Sequence, residues 1–120
     1  MKTSMYALGA ALLALAAPAQ ASGGLKCKTA GPAPVVINLG FGHVPSAGLF
    51  LAKLKDAGRE VPVEATQWWM QGPELRLALV STEHFETELT LRAQWNEKSF
   101  AYDGSIERGG KTRWVRCRED

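Results

Sequence analysis

From Glu74 to Arg118 apolar and polar residues alternate over long runs, and a period of two is the mark of half-buried strands, not helices. Leu75, Leu77 and Leu79 alternate with Glu74, Arg76 and Ala78 after a Gly72-Pro73 turn. Phe85, Thr87, Leu89, Leu91, Ala93 and Trp95 share one face of the next segment, with Glu86, Glu88, Thr90, Arg92 and Gln94 on the other. Asn96-Glu97-Lys98 reverses the chain, and Phe100, Tyr102, Gly104 and Ile106 make the following inward face. Gly109-Gly110 then supplies the positive φ angles of a two-residue hairpin turn. That turn sets a register. Arg108 faces Lys111; Ile106 with Arg113, Gly104 with Val115 and Tyr102 with Cys117 lie inward, while Ser105 with Trp114 and Asp103 with Arg116 lie outward.

Upstream, Gly31-Pro32-Ala33-Pro34 stiffens a lead-in from Cys27, and Val35, Ile37, Leu39 and Phe41 alternate as a strand that Gly42-His43-Val44-Pro45-Ser46 breaks. Two readings stay open for the next stretch. Ser46 can cap a short helix near 46–57 that ends at Gly58, or Leu49–Lys55 and Glu60–Glu64 can form a hairpin, with Pro62 holding the return strand to an edge or bulge. The β-character of everything downstream favours the hairpin. Short turns imply sequential antiparallel neighbours, so the expected fold is all-β: a small antiparallel meander forming a barrel or a sandwich.

Residues 1–21 have the make-up of a secretory signal peptide. Lys2 gives a positive start, Ala7–Ala17 is apolar but too short to span a bilayer stably, and Ala19-Gln20-Ala21 is the small-x-small pattern that signal peptidase cuts. Lys26 before Cys27 does not fit a lipoprotein anchor, so no membrane anchor is expected. Residues 22–120 then form a single β domain, periplasmic or secreted. Cys27 and Cys117 are the only cysteines, and in an exported chain they read as one disulfide joining the two ends.

Glu107–Arg118 carries Arg108, Lys111, Arg113, Arg116 and Arg118 against one acid, a basic strip suited either to solvent or to an anionic partner. Export disfavours nucleic acid. Four tryptophans are many for so small a domain, and consecutive strand residues face opposite ways, so Trp68 and Trp69 cannot both be core. Trp114 points outward beside Arg116, a pairing enriched at interface hot spots. Catalytic signals are poor: His43 and Ser46 lack an orienting acid, Glu83, His84 and Glu86 alternate faces on an extended segment, and Glu86 with Glu88 lacks burial. Gly40 and Gly42 lack the rest of a phosphate-loop fingerprint, so no cofactor is expected.

Compact length, cysteines near both ends and the turn Trp69-Met70-Gln71-Gly72-Pro73-Glu74, a Trp-x-x-Gly turn before a late strand, give the chain a layout that resembles the periplasmic C-type lysozyme inhibitors of Gram-negative bacteria. The resemblance implies a small antiparallel barrel and an inhibitor-like role. Their Ser/Gly-rich, Tyr-containing loop has no counterpart here, so no functional residue carries over. The sequence therefore points to a non-enzymatic binding protein that engages a protein partner, such as an envelope-attacking hydrolase. Trp68, Trp69, Trp114, Arg116 and Arg118 are the candidate binding residues, and the alternative is a periplasmic carrier or sensor of a small apolar or anionic ligand in the barrel mouth.

Overall fold

A computed structural model describes residues 23–42 and 48–120. Within them the period-two segments become nine strands: β1 (Gly23–Thr29), β2 (Val35–Phe41), β3 (Leu49–Asp56), β4 (Arg59–Val61), β5 (Val63–Gln71), β6 (Glu74–Ser81), β7 (Thr87–Asn96), β8 (Ala101–Arg108) and β9 (Lys111–Glu119). The signal-peptide reading of 1–21, the proposed start at Ser22 and the His43 to Ser46 segment lie outside the described residues.

All neighbours are antiparallel in one sheet of order β4-β3-β2-β1-β9-β8-β7-β6-β5, curled into a nearly closed barrel. Pairing of β1 with β9 joins the two ends of the chain in mid-sheet, so the free edges come from the middle of the sequence. These edges meet where β3 and the three-residue β4 approach β5. Pro62 separates β4 from β5 and has no N–H to continue a ladder, which is why the hairpin return breaks there. The helix alternative for 46–57 is not realised: Leu49–Asp56 is strand, turned by Ala57 and Gly58.

The inward side chains fill the barrel. Ile37, Leu54, Leu75, Leu79, Leu89, Leu91, Ile106 and Val115 are all fully buried, around the Cys27–Cys117 disulfide. The cysteines are direct partners across the β1–β9 ladder, with Cα atoms 3.9 Å apart. One end of the interior is closed by charge. Arg108 donates from Nε to Asp56 Oδ2 (2.8 Å) and from Nη1 to Glu88 Oε2 (2.6 Å), tying β8 to β3 and β7. Glu88 is the extra residue of a bulge, since Leu79 pairs with Leu89 but Val80 pairs with Thr87.

Three inward expectations fail where β7 and β8 begin: Thr87 is exposed ahead of the Glu88 bulge, and two phenylalanines lie at turns. Phe85 and Phe100 stand 78% and 71% exposed, each with a positive φ that ends the alternation before its strand begins. Phe100 instead packs edge-on against Trp95, which also meets Tyr102. The lead-in expected from Cys27 starts inside a strand instead, since Gly23–Thr29 is β1.

Candidate binding face

The Gly109-Gly110 hairpin forms in the register set by its turn, from Arg108↔Lys111 to Tyr102↔Cys117, with both glycines at positive φ. Trp114 is therefore on the outer face, and it is 51% exposed. Arg116 lies beside it, its guanidinium carbon 4.9 Å from the indole centroid. The arginine is not free, because its Nε and Nη2 donate to the two carboxylate oxygens of Asp103 (2.7 and 3.0 Å). The Arg116 hydrogen bond, with help from Ser99 and Asn96, holds the Asp103 carboxyl down to about 2 despite partial burial. The same contact raises Arg116 above its ordinary value. Arg116 thus fixes the indole of Trp114 as a platform, one face of which is backed by a charge already matched.

Trp68 and Trp69 follow a bulge and take opposite faces by the alternation of the strand. Ala65 pairs with Leu79 and Gln67 with Ala78, which leaves Thr66 as the extra residue. Trp68 then falls opposite the buried Leu77 and Trp69 opposite Arg76 on the outer face. Trp68 closes the seam between the sheet edges. Its ring stands edge-on to Phe41 at 5.9 Å and so near Gly48 that an added Cβ there would lie 2.8 Å from it. It nevertheless stays 42% exposed at the rim, and Trp69 is 52% exposed.

The ladders align what the sequence keeps apart. Trp69 pairs with Arg76, Arg76 with Arg92, Arg92 with Ser105, and Ser105 with Trp114. One row across β5, β6, β7, β8 and β9 thus reads Trp-Arg-Arg-Ser-Trp on the outer face. At about 4.8 Å per strand its two indoles are roughly 19 Å apart along the sheet. Trp69, Arg76, Arg92 and Ser105 line an open depression of about 910 Å³. Arg76 pairs with Glu74, whereas Arg92 is exposed and has no ion pair among the described residues.

The basic strip of Glu107–Arg118 does not form a single surface. Arg108 is spent at the barrel end, where burial opposes its charge and the hydrogen bonds it donates to Asp56 and Glu88 more than offset that. Arg113 donates to the carbonyl oxygens of Ala30 and Ala33, Arg116 is held by Asp103, and Lys111 and Arg118 are exposed with no ion pair among the described residues. Arg118 points outward on β9 beyond Arg116, across from Lys26 of β1, and shares a depression with Trp114.

The other sequence candidates disperse. Ser81 Oγ accepts from the backbone N–H groups of Glu83 and His84, leaving both side chains in solvent. Glu88 belongs to Arg108, so it makes no carboxylate pair with Glu86. Among the described residues no group of three His, Cys, Asp or Glu side chains is placed to hold a metal. No family model, no curated protein and no solved structure matches this chain.

Proposed function

We propose that the protein is an exported, non-enzymatic binding protein that engages a protein partner through the outer face of β5 to β9. The observation that carries this reading is the row Trp69–Arg76–Arg92–Ser105–Trp114: two half-exposed indoles bracketing two guanidinium groups. Tryptophan and arginine are the residues that dominate protein interfaces, because one removes a large apolar area from water and the other presents directional donors. Roughly half of an indole-bearing side chain, about 120 Å², is still available for burial at each end, worth up to about 3 kcal/mol apiece. The Asp103–Arg116 clamp supports the reading by lowering the entropy cost of ordering Trp114. The buried disulfide accords with a periplasmic or extracellular setting, where an envelope-attacking hydrolase is a fitting partner. A carrier role has less support, since aliphatic side chains occupy the interior.

The test is a pull-down from periplasmic extract with wild type, Trp69→Ala and Trp114→Ala, alongside unfolding curves. The expected result is one partner held by wild type and lost by both variants at nearly unchanged stability. Unfolding of the domain by Trp114→Ala, or retention of the same partner by both variants, overturns the proposal.

A further inference from the structure

Three outward triplets share one design. β1 carries Lys26-Cys27-Lys28, β3 carries Lys53-Leu54-Lys55 and β9 carries Arg116-Cys117-Arg118, each with a fully buried centre, so that each pair of cations points outward. The ladders bring them into two parallel rows. Lys26 pairs with Arg118 on one side and Asn38 on the other, and Asn38 with Lys53; Lys28 pairs with Arg116 and Val36, and Val36 with Lys55. Six of the chain's fourteen lysines and arginines therefore lie within four adjacent strands, an area of roughly 14 Å by 7 Å. The acids nearby are Asp103, already joined to Arg116, Glu60 across from Lys55, and Glu119 and Asp120, which line a depression with Lys26 and Arg118. Lys26, Lys28, Lys53, Lys55 and Arg118 are exposed and make no ion pair among the described residues.

Like charges directly across a ladder are destabilising, and Lys26↔Arg118 is such a pair beside the disulfide, whereas across from Lys28 the Arg116 charge is matched by Asp103. Such an arrangement works against the fold and is relieved by an anionic partner. We propose that this face docks on the surface of a membrane rich in anionic phospholipid. Lysine predominates, and lysine is depleted in protein interfaces, whereas a lipid surface attracts each juxtaposed lysine or arginine without needing fixed geometry. The array lies on the outside of the barrel and offers two parallel rows of long side chains, which a plane of headgroups can meet together. Trp114 borders the same depression, of about 370 Å³, as Lys26, Lys28, Arg116 and Arg118, and indoles favour the depth of the headgroups. The docking face shares Trp114 and Arg116 with the partner-binding row, but its lysines on β1 and β3 lie away from Trp69, Arg76 and Arg92, so it goes beyond that reading and is tested through the lysines.

Co-sedimentation of the protein, purified as its cell processes it, with vesicles of phosphatidylcholine alone or mixed with phosphatidylglycerol tests the proposal. Binding is expected only to the mixed vesicles and should weaken with salt. Lys26→Gln/Lys28→Gln should lower the partition by about 25-fold, near fivefold per lysine, while Lys98→Gln, at the turn between β7 and β8, should not. The double variant should unfold no earlier than wild type, since it removes a repulsion, so lost binding is separable from lost fold. Equal binding to neutral vesicles, equal binding by the double variant, or retention on a soluble acidic polysaccharide without binding to acidic vesicles overturns the proposal.

Discussion

Cys27→Ala should be among the costliest single substitutions in this barrel. The bridge spans a sequence separation of 90, and closing a loop that long restricts the unfolded chain by an amount worth about 4 to 5 kcal/mol in the chain-entropy model. Two features of the native state bear on the figure. The cysteines are already ladder partners, so the bridge holds strands that also share hydrogen bonds, and both are fully buried in the core. Against that, the like-charged Lys26–Arg118 pair beside the bridge pushes β1 and β9 apart, and without the bridge only packing and the ladder resist it. Urea unfolding is the assay. With a slope of about 1 to 2 kcal/mol per M for a domain of this size, the midpoint should fall by about 2 to 5 M. Adding Lys26→Gln/Lys28→Gln to the Cys27→Ala background should recover part of the loss. A midpoint shift under about 0.5 M would refute the loop argument, and no recovery would refute the repulsion.

Leu89→Ala and Leu91→Ala should each cost about 2 to 5 kcal/mol, because both side chains are fully buried, whereas Thr90→Ala between them should cost under about 1; equal denaturation midpoints would mean the faces are reversed. Arg108→Ala leaves the Asp56 and Glu88 carboxylates facing each other at the barrel end and should cost about 2 kcal/mol, less than a fully buried pair because the three side chains keep some solvent; a change within error in thermal melting counts against the plug. Asp103 has a folded pKa of about 2 against 3.8, so its contribution to stability is complete above the unfolded value and is lost as pH falls between the two. Asp103→Asn should therefore lower the melting temperature near neutral pH, by an amount equivalent to about 1 kcal/mol, and the gap from wild type should close near pH 2. A gap independent of pH would contradict the Arg116 clamp.

The C-terminal hairpin was legible because one local signal, two adjacent glycines, fixes every pairing that follows, and the outward position of Trp114 came with it. β6 and most of β7 were legible for the same reason, a run of leucines at alternate positions. β1 was not, since its inward positions are Leu25, Cys27 and Thr29 after two glycines, which is little apolar signal in a short segment. Missing β1 hid the lysine rows, although Lys-Cys-Lys and Lys-Leu-Lys stand in the sequence, because a cation pair gains a direction only once its strand is recognised. Phe85 and Phe100 misled through hydrophobicity alone: the turn geometry that places them in solvent is a backbone property their side chains do not announce. The fates of Arg108 and Arg113 depend on partners 20 to 83 residues away, and the five-strand row needs four ladder registers at once. Neither is available to reasoning from neighbouring residues.

A photo-crosslinking side chain at position 92, in the middle of the tryptophan row, tests the partner-binding claim most directly when the protein is expressed in its own cell. Arg92 is exposed and unpaired among the described residues, so the replacement leaves the core intact. The account predicts a discrete protein adduct from position 92 that disappears with Trp114→Ala, and none from Glu83 in the exposed β6–β7 connection. An adduct from position 83 with none from 92, or one at 92 that persists with Trp69→Ala and Trp114→Ala together, would contradict it.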